Sequence, residues 1–321
     1  MYWQNRKVLI TGHEGFLGSW LTKVLLAKGA KVIGLDKVKN RPISVLNGLR
    51  NKVTCIKGDI CNPKLLKSVI DEHRPQVIFH LAAEAIVNRA SENPSQTFKS
   101  NVEGTWNILE AARGRKFIKS TVIASSDKAY GSHNTLPYKE NAALKGKHPY
   151  DVSKSCADLI AYTYFHTYRV PVCITRCGNI FGPGDFNFSR IVPDAIRSAL
   201  SGRKLLIRSD GKFTRDYIYV EDVVIGYMVL AQKMQKLKLF GEAFNFSNEK
   251  PISVLELTKF IYKSCQRDPN YKILNQAKYE IRYQYLSATK AKKVLKWQPK
   301  YTLREGLSKT INWYNKTFQK G

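Results

Sequence analysis

Tyr150 and Lys154 stand four residues apart in Y-D-V-S-K, at the start of an apolar-periodic run. That spacing puts both on one helix face, where the Lys154 ammonium favours the charged form of the phenol and lowers its pKa. A tyrosine poised in this way can accept a proton from a hydroxyl as hydride leaves the same carbon. Ser126, in S-S-D-K-A-Y-G, can hydrogen-bond that hydroxyl and orient it. A hydride also needs an acceptor, and a second pattern points to one. Residues 7–36 read as an apolar run (Val8, Leu9, Ile10), then Gly12-x-x-Gly15-x-x-Gly18, an amphipathic stretch that opens with Phe16 and Leu17, a second apolar run and Asp36.

These residues need a frame that carries them to one place. Strand, tight turn, helix, strand and acidic end make one dinucleotide-binding βαβ unit, with the pyrophosphate at the helix N-terminus. Asp36 can accept hydrogen bonds from the adenosine ribose hydroxyls and would repel a 2′-phosphate, which favours NAD over NADP. Val53 to Ile56 reads as a third strand that ends at Asp59, followed by a helix begun by Asn62 and Pro63. PQVIFHLAA is a fourth strand, apolar on both faces, and Leu81, Ala82 and Ala83 end it with little bulk. A helix over 94–113 carries Asn101. Strand five (STVIASS) stops at Ser126, a helix opens at Tyr150, and strand six is VPVCITRC. Phe244 to Phe246 reads as a strand returning to the sheet. The spacing predicts an α/β fold: a Rossmann-like doubly wound parallel sheet with a smaller mixed α/β substrate-binding lobe on the C-terminal side. Residues 1–180 form the dinucleotide-binding domain, with 215–248 returning to it, and 181–214 with 249–321 form the lobe.

The bulk properties fit such a chain. At 321 residues it exceeds what one small core needs. No apolar run approaches the roughly 18 residues of a membrane span, and the first residues lack a signal-peptide core, so a soluble cytoplasmic protein is expected without membrane insertion. The six cysteines are scattered and make no metal-ligand set, so no metal and mostly buried free thiols are expected. The net charge of +28 attracts anions in general. Its lysines and arginines are spread along the chain, so no specific nucleic-acid partner is expected. The densest group, Lys290, Lys292, Lys293 and Lys296, reads as a solvated helix face. His13 and His80 read as structural.

The glycine triplet, Ser126 and Tyr150-x-x-x-Lys154, in this order, resemble the extended short-chain dehydrogenase/reductases, and the resemblance runs through RDYIYVEDV (215–223) to the closing SATKAKKVLKWQPKYTLREGL. It implies an NAD enzyme acting on a nucleotide-diphosphate sugar. Within that group, Asp127-Lys128 after Ser126 resembles the CDP-glucose 4,6-dehydratase branch, as do TGHEGFLGSWL and HPYDVSKSCADL. The implied reaction oxidises C4, removes the C5 proton with Lys128 as base, expels the C6 hydroxyl with Asp127 as acid, and returns hydride to C6. Lys128 then needs a depressed pKa, expected from Lys154 and the nicotinamide charge, and Asp127 a raised one. A loop ion pair between the two is the structural alternative. The resemblance further implies that Asp59 and Ile60 flank the adenine, that Leu81 to Ala83 line the phosphates and nicotinamide ribose, and that Asn101 supports the surroundings of Tyr150. Asn179, Arg190, Arg215 and Tyr217 would hold the sugar nucleotide. A homodimer through residues 94–112 and 150–168 is implied as well. A 4-epimerase using the same Tyr-Lys core is the second enzyme reading; a non-catalytic nucleic-acid-binding protein of the same fold is the reading from another class. The base and the sugar stay open.

Overall fold

The computed structural model describes residues 2–277 and 280–318. Its first half alternates strand and helix: β1 (Lys7–Thr11), α1 (Phe16–Ala27), β2 (Lys31–Asp36), β3 (Val53–Lys57), α2 (Pro63–His73), β4 (Val77–His80), α3 (Val87–Glu92), α4 (Pro94–Phe98), α5 (Gly104–Ala112), β5 (Ser120–Ala124), α6 (Pro149–Tyr168) and β6 (Val172–Cys177). The second half is more broken: β7 (Asn179–Phe181), α7 (Ile191–Ser201), β8 (Leu205–Ile207), β9 (Thr214–Arg215), β10 (Tyr217–Tyr219), α8 (Val220–Lys233), β11 (Ala243–Phe246), β12 (Ile252–Ser253), α9 (Val254–Ser264), β13 (Tyr271–Ile273), β14 (Tyr283–Gln284) and α10 (Leu303–Phe318).

Seven strands form one sheet in the order β11-β6-β5-β4-β1-β2-β3, and every pairing is parallel. Strand order reverses between β1 and β4, and ligands of such sheets bind beyond the strand C-termini at that switch point. Alternation along each strand separates two cores. Val8 and Ile10 of β1 pack with Trp20, Leu21 and Leu25 of α1 and Val223 and Val224 of α8. Leu9 packs on the opposite face with Leu66, Val69 and Ile70 of α2, Ile108 and Leu109 of α5, and Ala161 of α6. Local signals set the helix ends as read from the sequence: Asn62 accepts from the Leu65 N–H ahead of Pro63, and Ser253 with Glu256 closes a capping box on α9.

Three readings need correction. The 94–113 helix is not uniform, because residues Lys99–Glu103 form a π-helical turn between α4 and α5. The lysine group near 290 rests on a π-helical turn, Ala291–Leu295, and is partly paired: Lys290 meets Glu242 and Lys292 meets Glu249. Only Cys173 and Cys177 are buried; the other four free thiols are half-buried.

One buried ion pair ties the sheet to the segment after β5. Arg176 of β6 grips Asp158 of α6 through Nε and Nη2, each at 2.8 Å, and its Nη1 reaches the Tyr130 hydroxyl at 2.8 Å and the Glu140 carbonyl at 3.0 Å. The Tyr130 hydroxyl donates in turn to Asn245 of β11 at 2.8 Å. Removing one partner of a buried pair leaves an uncompensated charge, at a cost of roughly 3–5 kcal/mol. Arg176→Leu is therefore expected to lower unfolding stability by about that amount in urea titrations, and adding Asp158→Leu is expected to regain much of it.

Candidate active site

The switch point is shaped by glycine. Gly12 has φ +76°, and a Cβ there would lie 2.8 Å from the backbone nitrogen of Ala82 at the end of β4; a Cβ on Gly18 would lie 2.0 Å from the Gly12 carbonyl oxygen. The turn thus presses against both the end of β4 and α1, with no room for a side chain at Gly12 or Gly18. Gly15 is the N-cap of α1 and supplies no side-chain cap, so the first turn, with Phe16 and Leu17, presents N–H groups suited to a phosphate. Asp36 is held at the end of β2: its Oδ2 accepts from the Glu14 N–H and its Oδ1 from the Val38 N–H, both at 3.1 Å. These features fit a dinucleotide.

Around this turn the structure refines the expected roles. Asp59 pairs with Lys37 at 3.1 Å and accepts from the Cys61 N–H at 2.9 Å. Ile60 is a core residue, its side chain filling the space over Gly104. Leu81, Ala82 and Ala83 are half-buried beside Gly12. Asn101 lies in the π-helical turn and joins two walls of the site: it accepts from the Glu84 N–H at 2.7 Å and donates to the Glu84 carbonyl at 3.0 Å and to Ser153 Oγ at 2.9 Å. His80 lies between Thr11 Oγ1 at 2.8 Å and Thr105 Oγ1 at 3.3 Å, and burial pushes its pKa down to about 3. Glu14, unremarked in the sequence, is a buried carboxylate that accepts from Arg50 Nε at 2.8 Å, Arg50 Nη2 at 3.0 Å and the Arg41 N–H at 3.1 Å, folding the basic loop after β2 back on the turn. Among the described residues, no group of three or more His, Cys, Asp or Glu is placed to hold a metal.

Beyond β5, Ser126 caps a single 3₁₀ turn, Asp127–Tyr130. Its Oγ accepts from the Lys128 N–H at 3.2 Å and donates to Asp127 Oδ1 at 3.0 Å, and it lies near enough to the Tyr150 phenol to work against the rise in its pKa. Ser126, Asp127, Tyr150 and the Lys128 backbone are thus assembled at one place. Burial raises the Tyr150 phenol to about 12, and the cation working against that rise is Arg190. Lys154 Nζ lies 6.0 Å from the Tyr150 ring centroid and donates to the Ala124 carbonyl at 2.8 Å, while burial lowers its own pKa to about 8. Lys128 is depressed, as base chemistry requires, by burial and then by Arg215, with Asp127 and Asp151 opposing; the cation responsible is Arg215, not Lys154. Nor do Asp127 and Lys128 bond each other as a loop ion pair: the Lys128 amine donates to Gln284 Oε1. Asp127 Oδ2 is buried without a hydrogen-bond partner.

The second half of the chain closes over this turn. Arg215 of β9 is buried, and of its five N–H groups three go to the carbonyls of Thr214, Arg282 and Ile281. Its Nη2 also lies 3.9 Å from the Glu280 carboxylate. Arg190, half-exposed, reaches Asp185 at 3.3 Å and influences Tyr150. Asn179 and Tyr217 pair across β7 and β10; Asn179 takes the Asp216 carbonyl, and Tyr217 is buried. Two residues went unnoticed in the sequence. Asp216 is a buried carboxyl raised by burial to about 7, bonded by Ser247 and with Oδ1 unpartnered. Gln284, fully buried on β14, donates from Nε2 to the Asp127 carbonyl at 2.9 Å. Asp216 had a weak signal in its place beside Arg215; for Gln284 the only cue is a polar residue flanked by two tyrosines on a short strand.

Fold and constellation define an extended short-chain dehydrogenase/reductase. More narrowly, residues 9–310 match the family described as GDP-mannose 4,6 dehydratase, and the chain belongs to that family. It is 30% identical to the CDP-glucose 4,6-dehydratase of Salmonella typhimurium, over 98% of this chain and 91% of that protein. It is also 29% identical to the UDP-glucuronate 4-epimerase of Thermodesulfobacterium geofontis, over 95% of each. Among solved structures, the dTDP-glucose 4,6-dehydratase of Bacillus anthracis in complex with NAD superposes with a TM-score of 0.85 at 31% identity, covering 98% of both chains.

The glycine cradle yields a direct test. Gly18→Ala forces a methyl into the Gly12 carbonyl, and overpacking of this kind costs about 1–3 kcal/mol. Calorimetric titration with NAD is expected to show at least tenfold weaker binding, with a lowered thermal midpoint.

Proposed function

We propose that this protein is an NAD-dependent nucleotide-sugar 4,6-dehydratase, a hydro-lyase that converts an NDP-hexose to the NDP-4-keto-6-deoxy sugar and water. The observation that carries this reading is the turn after β5, where Asp127 and Lys128 join Ser126 and Tyr150 without neutralising each other. Bound NAD would supply the hydride acceptor for C4 and the donor for C6. The residues divide the proton work. Tyr150, as the phenolate that Arg190 and the positive charge of a bound NAD would favour against burial, takes the C4 hydroxyl proton, with Ser126 orienting that hydroxyl. Lys128, held toward its neutral form by burial and by Arg215, takes the C5 proton and later gives it back. Asp127 protonates the C6 hydroxyl, which leaves as water. The Ser126 hydroxyl bonds Asp127 and lies near Tyr150, a placement that suits passing the proton gained at Tyr150 to replace the one spent at Asp127. Lys154 anchors this helix face and offers a donor for a ribose hydroxyl.

Arg215, Arg190, Asn179 and Tyr217 hold the sugar nucleotide on this reading, the two arginines taking the diphosphate. The Asp-Lys pair and the likeness to a CDP-glucose enzyme support a CDP-linked hexose, with GDP-, UDP- and dTDP-linked sugars as the other substrates to compare. Similarity to a 4-epimerase supplies the second reading, in which the Tyr150 core alone acts. A homodimer through α4–α5 and α6 is also proposed, supported by the exposed Phe98, Trp106, Leu159 and Tyr162 on these helices.

Incubation with NAD and a panel of sugar nucleotides is expected to give a 6-methyl signal in the proton spectrum. A product merely inverted at C4 would establish the epimerase instead. In D₂O, Asp127→Asn is expected to exchange the C5 hydrogen while eliminating little water, whereas Lys128→Met does neither, each losing roughly 10²–10⁴-fold in turnover. For the dimer, Trp106→Glu is expected to halve the mass seen by light scattering, with the fold unchanged by circular dichroism.

A further inference from the structure

From outside the turn after β5, the Gln284 side chain bonds both Asp127 and Lys128: Nε2 donates to the Asp127 carbonyl at 2.9 Å and Oε1 accepts from the Lys128 amine. The orientation of the amide is fixed chemically. A main-chain carbonyl can only accept, so Nε2 must face Asp127 and Oε1 must face Lys128. Burying a carboxamide is costly unless its groups are paired, and this one is fully buried. It arrives from a separate part of the chain, on β14, whose residue Gln284 lies in register with Arg215 of β9. Upstream on the same strand segment, the carbonyls of Ile281 and Arg282 receive the Arg215 guanidinium.

We propose that Gln284 is a positioning residue that orients the Lys128 amine as a base without placing a charge beside it. This rests on the dehydratase reading for its chemical purpose, but not for its geometry. A lysine acting as base must present a lone pair to the C5 hydrogen, so its N–H bonds have to be directed elsewhere; Gln284 Oε1 receives one of them. A glutamate in this place would do so too, but its charge would stabilise the ammonium. A neutral acceptor directs the amine without that penalty. Because β14 is stapled to Arg215, the arm proposed to hold the diphosphate and the group that aims the base move as one unit.

The test pairs Gln284→Glu with Gln284→Leu in the full-length protein. Trace acetylation with acetic anhydride, read at Lys128 by mass spectrometry across pH, gives the titration of this amine whether or not the protein turns over. Gln284→Glu is expected to raise that titration by roughly 1–3 pH units, as a nearby opposite charge does. It should move the acidic limb of kcat by the same amount, so that turnover recovers at alkaline pH. Gln284→Leu is expected to lower kcat at every pH with little change in KM. An unchanged Lys128 titration in Gln284→Glu would overturn the proposal, and so would an equal loss of turnover at every pH in the two variants. If the titration moves but no sugar nucleotide gives a 6-methyl product, the positioning stands and the dehydratase reading fails.

Discussion

Two backbones meet at the switch point with no space for a β-carbon between them. Gly12 lies against Ala82, and Gly18 lies against Gly12, so the end of β1, the end of β4 and the start of α1 form one close-packed unit. Their fit fixes the open end of α1 relative to the sheet. It also leaves the crevice lined by main chain rather than by side chains, which is what a flat, charged dinucleotide requires. Asp36 and Glu14 extend the same principle outward, each carboxylate spent on backbone N–H groups or on arginine, so that the adenosine side is built before any ligand arrives.

On the catalytic side the constraint is electrostatic. The pKa values of Tyr150, Lys154 and Lys128 are all shifted from their ordinary values, the phenol upward and the two amines downward, and in each burial is the leading cause. Each shift disfavours the charged form of its group, inside a chain of net charge +28. Cations at the rim of the site then act as tuning elements, Arg190 on the tyrosine and Arg215 on Lys128. The second half of the chain therefore shapes the electrostatics of this site.

Most of the fold could be read from the chain because its signals are local. The Gly12 turn, the Asn62-Pro63 start and the Ser253–Glu256 box each lie within a few residues, and the doubly apolar strands announce a parallel sheet covered on both sides. Asp36, Ser126, Asp127 and Tyr150 were legible for the same reason, each sitting at an element boundary. What escaped was non-local. Gln284 meets Lys128 from 156 residues away, through pairing of two-residue strands that have no periodicity to detect. Helical spacing brings Lys154 to the same face as Tyr150, yet cannot show that its amine also donates to the Ala124 carbonyl.

The π-helical turn at Lys99–Glu103 has a consequence for the helix that carries it. A turn wider than the α-helical one advances the chain by an extra residue, which shifts the angular phase of everything after it. The two sides of the joint thereby face different surroundings: Asn101 points inward to Glu84 and Ser153, while Trp106, five residues on, stands in solvent. In a uniform α-helix residues five apart already face about 140° apart, and the wider turn sets that offset anew, with Asn101 itself seated in the turn.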